Sequence, residues 1–214
     1  MLTQDQTNKL KVIATPWPKQ KPSLRPSSSK WFNQHHAATF RQLIKPHDSG
    51  LYLELGTWTG MGSTRFVAET FPELSMICID TFEDSEEHQR IEAYKPIAAK
   101  LWDHFCVNHW HNQHRLFPIR DDSVTGMQAV AAIGLEPDVI YIDAAHDAES
   151  VYLDLKVALE CFPKAIIVGD DYLAEGQGHP GVRLGIEKAV VKGLITRQEF
   201  KHNHRVWYLN RNIK

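Results

Sequence analysis

The stretch Glu54-Leu55-Gly56-Thr57-Trp58-Thr59-Gly60-Met61-Gly62-Ser63 decides the fold. It closes the short apolar run Leu51–Leu55 and leads into a helical pattern over Ser63–Thr70. A buried strand, a glycine-rich turn and a helix in that order open a βαβ unit. Glycine lets the backbone turn sharply and lets a ligand approach closely. The next apolar run, 75–79, ends at Asp80. A carboxylate at that place can accept both hydroxyls of a ribose.

The same alternation continues outward from this unit. Strands are expected over 116–119, Val139–Ile142 and 165–168, and helices over 31–44, 123–133, 148–159 and 181–191. Residues 47–50 read as a turn, and 199–201 with Val206–Leu209 as a closing hairpin. Seven strands alternating with helices predict an α/β fold: a mostly parallel, Rossmann-like sheet with an antiparallel C-terminal hairpin and helices on both faces. Ligands of such sheets bind outside the carboxyl ends of the strands. Here those ends carry Gly56, Asp80, Asp122, Asp143 and the pair Asp170-Asp171.

The first 30 residues are polar and proline-rich (Pro16, Pro18, Pro22, Pro26) and predict an extended arm, which Trp17 and Trp31 would pin to the domain or to a partner. Residues 31–214 form the single domain, with a helical, histidine-rich cap over about 84–114. The chain of 214 residues is 43% hydrophobic and 23% charged, as a soluble globular protein is. Its net charge of −2 and lack of a basic stripe argue against nucleic acid as the main substrate. Three cysteines without CxxC spacing argue against a disulfide framework or a cysteine zinc site. No signal peptide or bilayer-length apolar run is visible, so the cytoplasm is the expected location and no membrane partner is expected.

Two cofactor classes use a glycine-rich βα turn. A dinucleotide needs Gly-x-Gly-x-x-Gly over its pyrophosphate, whereas the glycines here stand at 56, 60 and 62. The acidic-x-Gly-x-x-x-Gly pattern instead resembles motif I of the class I S-adenosylmethionine-dependent methyltransferases. That resemblance implies that Gly56 and Gly60 line the cofactor, Glu54 supports the loop, Asp80 holds the ribose, and Asp122-Ser123 meets the adenine. Thr57, Thr81 and Asp143 complete the residues expected around S-adenosylmethionine.

The second constellation is Asp143-Ala144-Ala145-His146 with Gly169-Asp170-Asp171-Tyr172. Asp143 and Asp170 end consecutive strands, so Asp143, Asp170 and Asp171 can converge. Clustered carboxylates repel unless a cation lies between them. All-oxygen ligation suits Mg²⁺ or Mn²⁺. The arrangement resembles the divalent-metal O-methyltransferases over roughly residues 50–190. His146 stands where the catechol-type enzymes have a lysine base, and Asp171 where they have asparagine. The pattern is therefore more similar to enzymes that methylate sugar hydroxyls of macrolides, and to a cephalosporin-hydroxylase-like group. The resemblance implies metal-assisted transfer to a small-molecule hydroxyl, with His146 taking the proton and Asp143 in the catalytic set. A hydroxylase-like enzyme and a non-catalytic binding module are the alternatives.

Three further features remain. His104, His109, His111 and His114 invite a zinc reading, but without a completing ligand they are expected to form a solvated, mobile cap packed down by Trp102, Phe105 and Trp110. Glu175 to Val182 borders the Asp170-Asp171 rim and reads either as a closing loop or as plain surface. An aromatic arm that reaches across a dimer makes a second copy of the chain a candidate partner.

Overall fold

Alternation within the first strand, β1 (Leu51–Leu55), sends its side chains into two separate cores. Leu51, Leu53 and Leu55 enter one, while Tyr52 enters the other. The computed structural model describes residues 2–27, 32–47, 49–84, 90–173 and 179–211. Its other strands are β2 (Ser75–Asp80), β3 (Leu116–Arg120), β4 (Val139–Ile142), β5 (Ile166–Gly169), β6 (Phe200–Asn203) and β7 (Val206–Leu209). They form one seven-stranded sheet in the order β3-β2-β1-β4-β5-β7-β6. The first five are parallel, and β7 runs antiparallel between β5 and β6. This is the architecture the sequence predicts.

Helices cover both faces. On the Leu53 face lie α1 (Gln4–Ile13), α6 (Ser123–Ala132), α7 (Ala148–Cys161) and α8 (Pro180–Val191), through Leu10, Met127, Leu155 and Ile186. On the Tyr52 face lie α2 (Gln34–Ile44), α3 (Ser63–Thr70) and α5 (Leu101–Asn108), through Phe40, Val67 and Phe105. A short α4 (Lys95–Ala98) precedes α5. Strand order reverses between β1 and β4, which are nonetheless hydrogen-bonded neighbours. The crevice outside their carboxyl ends is therefore the expected ligand site.

The N-terminal arm departs from expectation. Residues 4–13 are helical, not extended. Thr3 and Gln6 form a capping box: Gln6 N–H donates to Thr3 Oγ1 at 3.2 Å and Thr3 N–H to Gln6 Oε1 at 2.9 Å. Leu10 is fully buried, which is worth about 2 kcal/mol and docks the helix. Trp17 does pin the following segment to the domain. Its ring lies 6.0 Å from Phe105, 6.3 Å from Trp102 and 6.4 Å from Trp110. Trp31 lies outside the described residues, as do Glu86, Glu87 and the stretch 174–178.

The histidine-rich segment also departs. His111 and His114 are exposed, as expected of a solvated cap, but His109 is buried. Leu101, Phe105, Cys106 and Val107 anchor α5 in the core. Among the described residues no helix is long and apolar enough to cross a membrane.

Candidate active site

The β1–α3 loop is fixed from three sides. From within, Glu54 is fully buried and its Oε1 accepts from Ser63 Oγ at 2.5 Å and Thr64 Oγ1 at 3.0 Å. Burial pushes its carboxyl up to about 8, against those two hydrogen bonds. From β2, Asp80 Oδ2 accepts the amides of Thr57 and Trp58, each at 2.8 Å, and its Oδ1 accepts that of Phe82 at 2.7 Å. A carboxylate has about four acceptor positions, so roughly one remains. Asp80 thus holds the loop with three of these positions and keeps about one free.

The third side is the histidine-rich segment, which packs on the loop instead of forming a mobile cap. His109 Nε2 meets the Gly60 carbonyl at 2.7 Å, and Asn108 Nδ2 donates to the Thr59 carbonyl at 2.7 Å. Burial lowers His109 to about 4, so the ring is neutral and its N–H donates. Gly60 has φ +73°, and a Cβ there would stand 2.4 Å from His109 Nε2. Gly56 has φ +78°, and a Cβ would meet the Asp143 carbonyl at 2.1 Å. Both glycines are therefore required by the packing. No local signal marks His109 or Asn108 for this task.

The remaining expected cofactor residues are spread along the same rim. Thr57 is buried and Thr81 is exposed, its Oγ1 accepting from Glu83 N–H at 3.3 Å. Asp122 caps α6, with Oδ1 bound to Thr125 N–H at 3.0 Å and Oδ2 to Thr125 Oγ1 at 2.7 Å, and these bonds lower its pKa. Ser123 hydrogen-bonds Asp154, a buried acid of α7 that sequence reasoning missed. Desolvation raises Asp154 to about 7.

The acidic constellation converges only in part. His146 Nε2 lies 3.2 Å from Asp171 Oδ2 and 3.6 Å from Asp143 Oδ1. Burial raises Asp143, and the His146 hydrogen bond opposes that shift. His179 joins the group: its Nε2 is 3.7 Å from Asp171 Oδ2, and its ring stacks on His146 at 4.0 Å. Donor atoms of His146, Asp171 and His179 all lie within 4.8 Å of one another. Asp170 turns elsewhere. Its Oδ2 meets His36 Nε2 at 2.8 Å and Tyr141 Oη at 3.2 Å, and its Oδ1 accepts the Asp171 amide at 2.7 Å. His36 comes from α2, far away in sequence.

The hairpin fixes this turn. Trp207 Nε1 donates to the Asp170 carbonyl at 3.0 Å, and Tyr172 N–H donates to the Arg205 carbonyl at 2.9 Å. The Arg205 guanidinium pairs with Asp171 Oδ1. Asp171 has φ 59°, and Trp58 and Phe82, which follow β1 and β2, have φ 51° and 50°. Left-handed non-glycine residues of this kind gather at functional rims.

A family model described as a methyltransferase domain matches residues 53–172, more than half of the chain, from the end of β1 through the Asp170–Tyr172 turn. The chain belongs to this methyltransferase family. It is an S-adenosylmethionine-dependent methyltransferase of class I. No curated protein matches it by sequence. Among solved structures it is similar to a Staphylococcus aureus protein assigned as a caffeoyl-CoA O-methyltransferase (15% identity, TM-score 0.56, 83% of each chain covered). It is similar to the MycE methyltransferase of the mycinamycin biosynthetic pathway, in complex with Mg, SAH and mycinamycin VI (16% identity, TM-score 0.54). That match covers 81% of this chain and 48% of MycE, so the methyltransferase described here spans about half of MycE. Cofactor-bound Rv0187 from MTB matches with 14% identity and TM-score 0.50, over 97% of this chain and 88% of that one. At these identities the likeness establishes the fold.

Proposed function

We propose that this methyltransferase is a divalent-metal-dependent O-methyltransferase acting on a hydroxyl of a small molecule such as a sugar or secondary metabolite. The observation that carries the reading is the meeting of Asp143, His146 and Asp171 at the carboxyl ends of β4 and β5, beside the glycine loop.

Residues of this chain fit both groups. Thr57 Oγ1 and Thr59 Oγ1 are buried without hydrogen-bond partners among the described residues. Buried polar atoms are rarely left so, and a polar ligand in the loop would satisfy them. S-adenosylmethionine would lie along Gly56 and Gly60, with Asp80 at its ribose and Asp122-Ser123 towards its base. When bound it supplies an electrophilic methyl group.

Asp143 and Asp171 would hold the ion, and Asp170 would join them only by releasing His36. A bound divalent cation lowers the pKa of a hydroxyl. With imidazoles beside the carboxylates, Mn²⁺ suits the donor set better than Mg²⁺. His146, whose ring stacks on His179, would take the proton of the acceptor hydroxyl at Nε2 once the cation has drawn Asp143 and Asp171, which face that atom here, to itself. The deprotonated oxygen would take the methyl group as its bond to sulfur breaks, and S-adenosylhomocysteine would leave. The family favours methyl transfer over hydroxylation. MycE, whose structure contains Mg and SAH, supports the metal requirement.

The three free thiols, Cys78, Cys106 and Cys161, support a reducing, cytoplasmic setting. Methyl transfer from labelled S-adenosylmethionine to a panel of hydroxyl compounds, with and without chelator, tests the reading. Transfer that stops with chelator and returns with Mn²⁺ or Mg²⁺ is expected. Full transfer under chelator contradicts the metal role.

A further inference from the structure

A cavity of about 560 Å³ opens beside the Asp171 turn. Its walls come from the start of α2, the segment after β5, α8 and the β6–β7 hairpin. The size suits a small molecule. Among the described residues, Arg183, Arg205, His35, His202 and His204 line it, and no carboxylate does. Tyr172, Leu173 and Val206 supply the apolar wall.

We infer that the acceptor carries an anionic group, a carboxylate or a phosphate ester, seated between Arg183 and the imidazoles of this cavity. This rests on the O-methyltransferase reading, because it assigns the substrate of that same site. Arg205 makes the connection. Its guanidinium borders the cavity and also pairs with Asp171 Oδ1. An acceptor therefore spans a short path from the cationic pocket to the His146–Asp171 rim. Arg205 also neutralises the Asp171 face that a second anion would otherwise meet. Arg183 lies in the first turns of α8, paired with Glu187 along its own helix at 2.9 Å. Partly exposed pairs of that type contribute little, so the Glu187 pair does not bar an entering anion. Guanidinium binds carboxylate and phosphate in a fixed two-pronged geometry. The His35 and His204 rings lie 3.9 Å apart, tilted by 40°, and form a second edge of the pocket.

The test uses the full chain saturated with S-adenosylhomocysteine and Mn²⁺. Glucuronate, glucose 6-phosphate and glucose are titrated calorimetrically, as are 3,4-dihydroxybenzoate and catechol. At least one anionic probe is expected to bind about tenfold more tightly than its neutral counterpart, a difference of about 1.4 kcal/mol. The sugar acids and esters separate carboxylate from phosphate recognition. In Arg183→Met the preference is expected to fall below about threefold, with S-adenosylhomocysteine affinity unchanged. Equal or tighter binding of the neutral probes, failure of every anionic probe to bind, or a preference that survives Arg183→Met overturns the inference. Loss of S-adenosylhomocysteine binding in the unaltered protein would instead overturn the methyltransferase reading beneath it.

Discussion

His109 Nε2 lies 2.7 Å from the carbonyl oxygen of Gly60, so a buried neutral imidazole clamps the far side of the cofactor loop. Its pKa falls from 6.5 to about 4 on folding. Between those values the unfolded chain binds a proton that the folded chain refuses. Stability therefore rises with pH across that window and is lost as pH falls from about 6.5 towards 4. His109→Asn removes both the clamp and this titration. The substitution is expected to cost about 2 kcal/mol at pH 7.5, and less at pH 5. It should also weaken S-adenosylhomocysteine binding about tenfold. Urea unfolding at the two pH values, with calorimetry at the higher one, checks this. An equal cost at both would mean that His109 is not held neutral.

Gly56→Ala places a Cβ 2.1 Å from the Asp143 carbonyl at a left-handed backbone position. Strain of about 1–2 kcal/mol adds to a backbone clash that no side chain can relieve. S-adenosylhomocysteine binding is expected to fall by more than tenfold while the far-UV circular dichroism stays that of a folded α/β protein. Unchanged affinity would show that the β1–β4 crevice does not hold the cofactor.

Asp154 has the opposite sign to His109. Its carboxyl rises from 3.8 to about 7 by burial beside Ser123. The folded state binds the proton that the unfolded state releases, so this group costs stability as pH rises from about 4 to 7. Asp154→Asn should therefore gain on the unaltered protein over that range. Melting temperatures at pH 5 and pH 8 read it directly. A variant that loses ground at pH 8 would mean that Asp154 is ionised and paired.

Trp17→Ala removes the ring that Trp102, Phe105 and Trp110 surround. A loss on the order of 2 kcal/mol is expected. The arm would then be cut by protease ahead of the domain. Resistance equal to the unaltered protein would show that α1 alone holds the arm.

Much of the sheet is legible in the residue pattern because β1, β2, β4 and β5 are short, mostly apolar runs punctuated by glycine or aspartate. Asp80, Asp143 and Asp171 are legible for the same reason: each follows such a run. α1 was obscured by its polar composition, although Thr3 and Gln6 carried its start signal. The partners of these residues were not legible. His36 reaches Asp170 across 134 positions, and Arg205 reaches Asp171 from the closing hairpin. Such contacts are set by how helices and hairpin settle on the sheet, which no local spacing encodes. His109 was misjudged because a histidine-rich run reads as solvated, whereas the α5 register turns one member inward.

Calorimetric titration of the purified protein with S-adenosylhomocysteine, with NAD as control, tests the central claim most directly. Micromolar binding of S-adenosylhomocysteine alone is the predicted result. Binding of NAD, or of neither ligand, would contradict the assignment of the loop from Glu54 to Ser63.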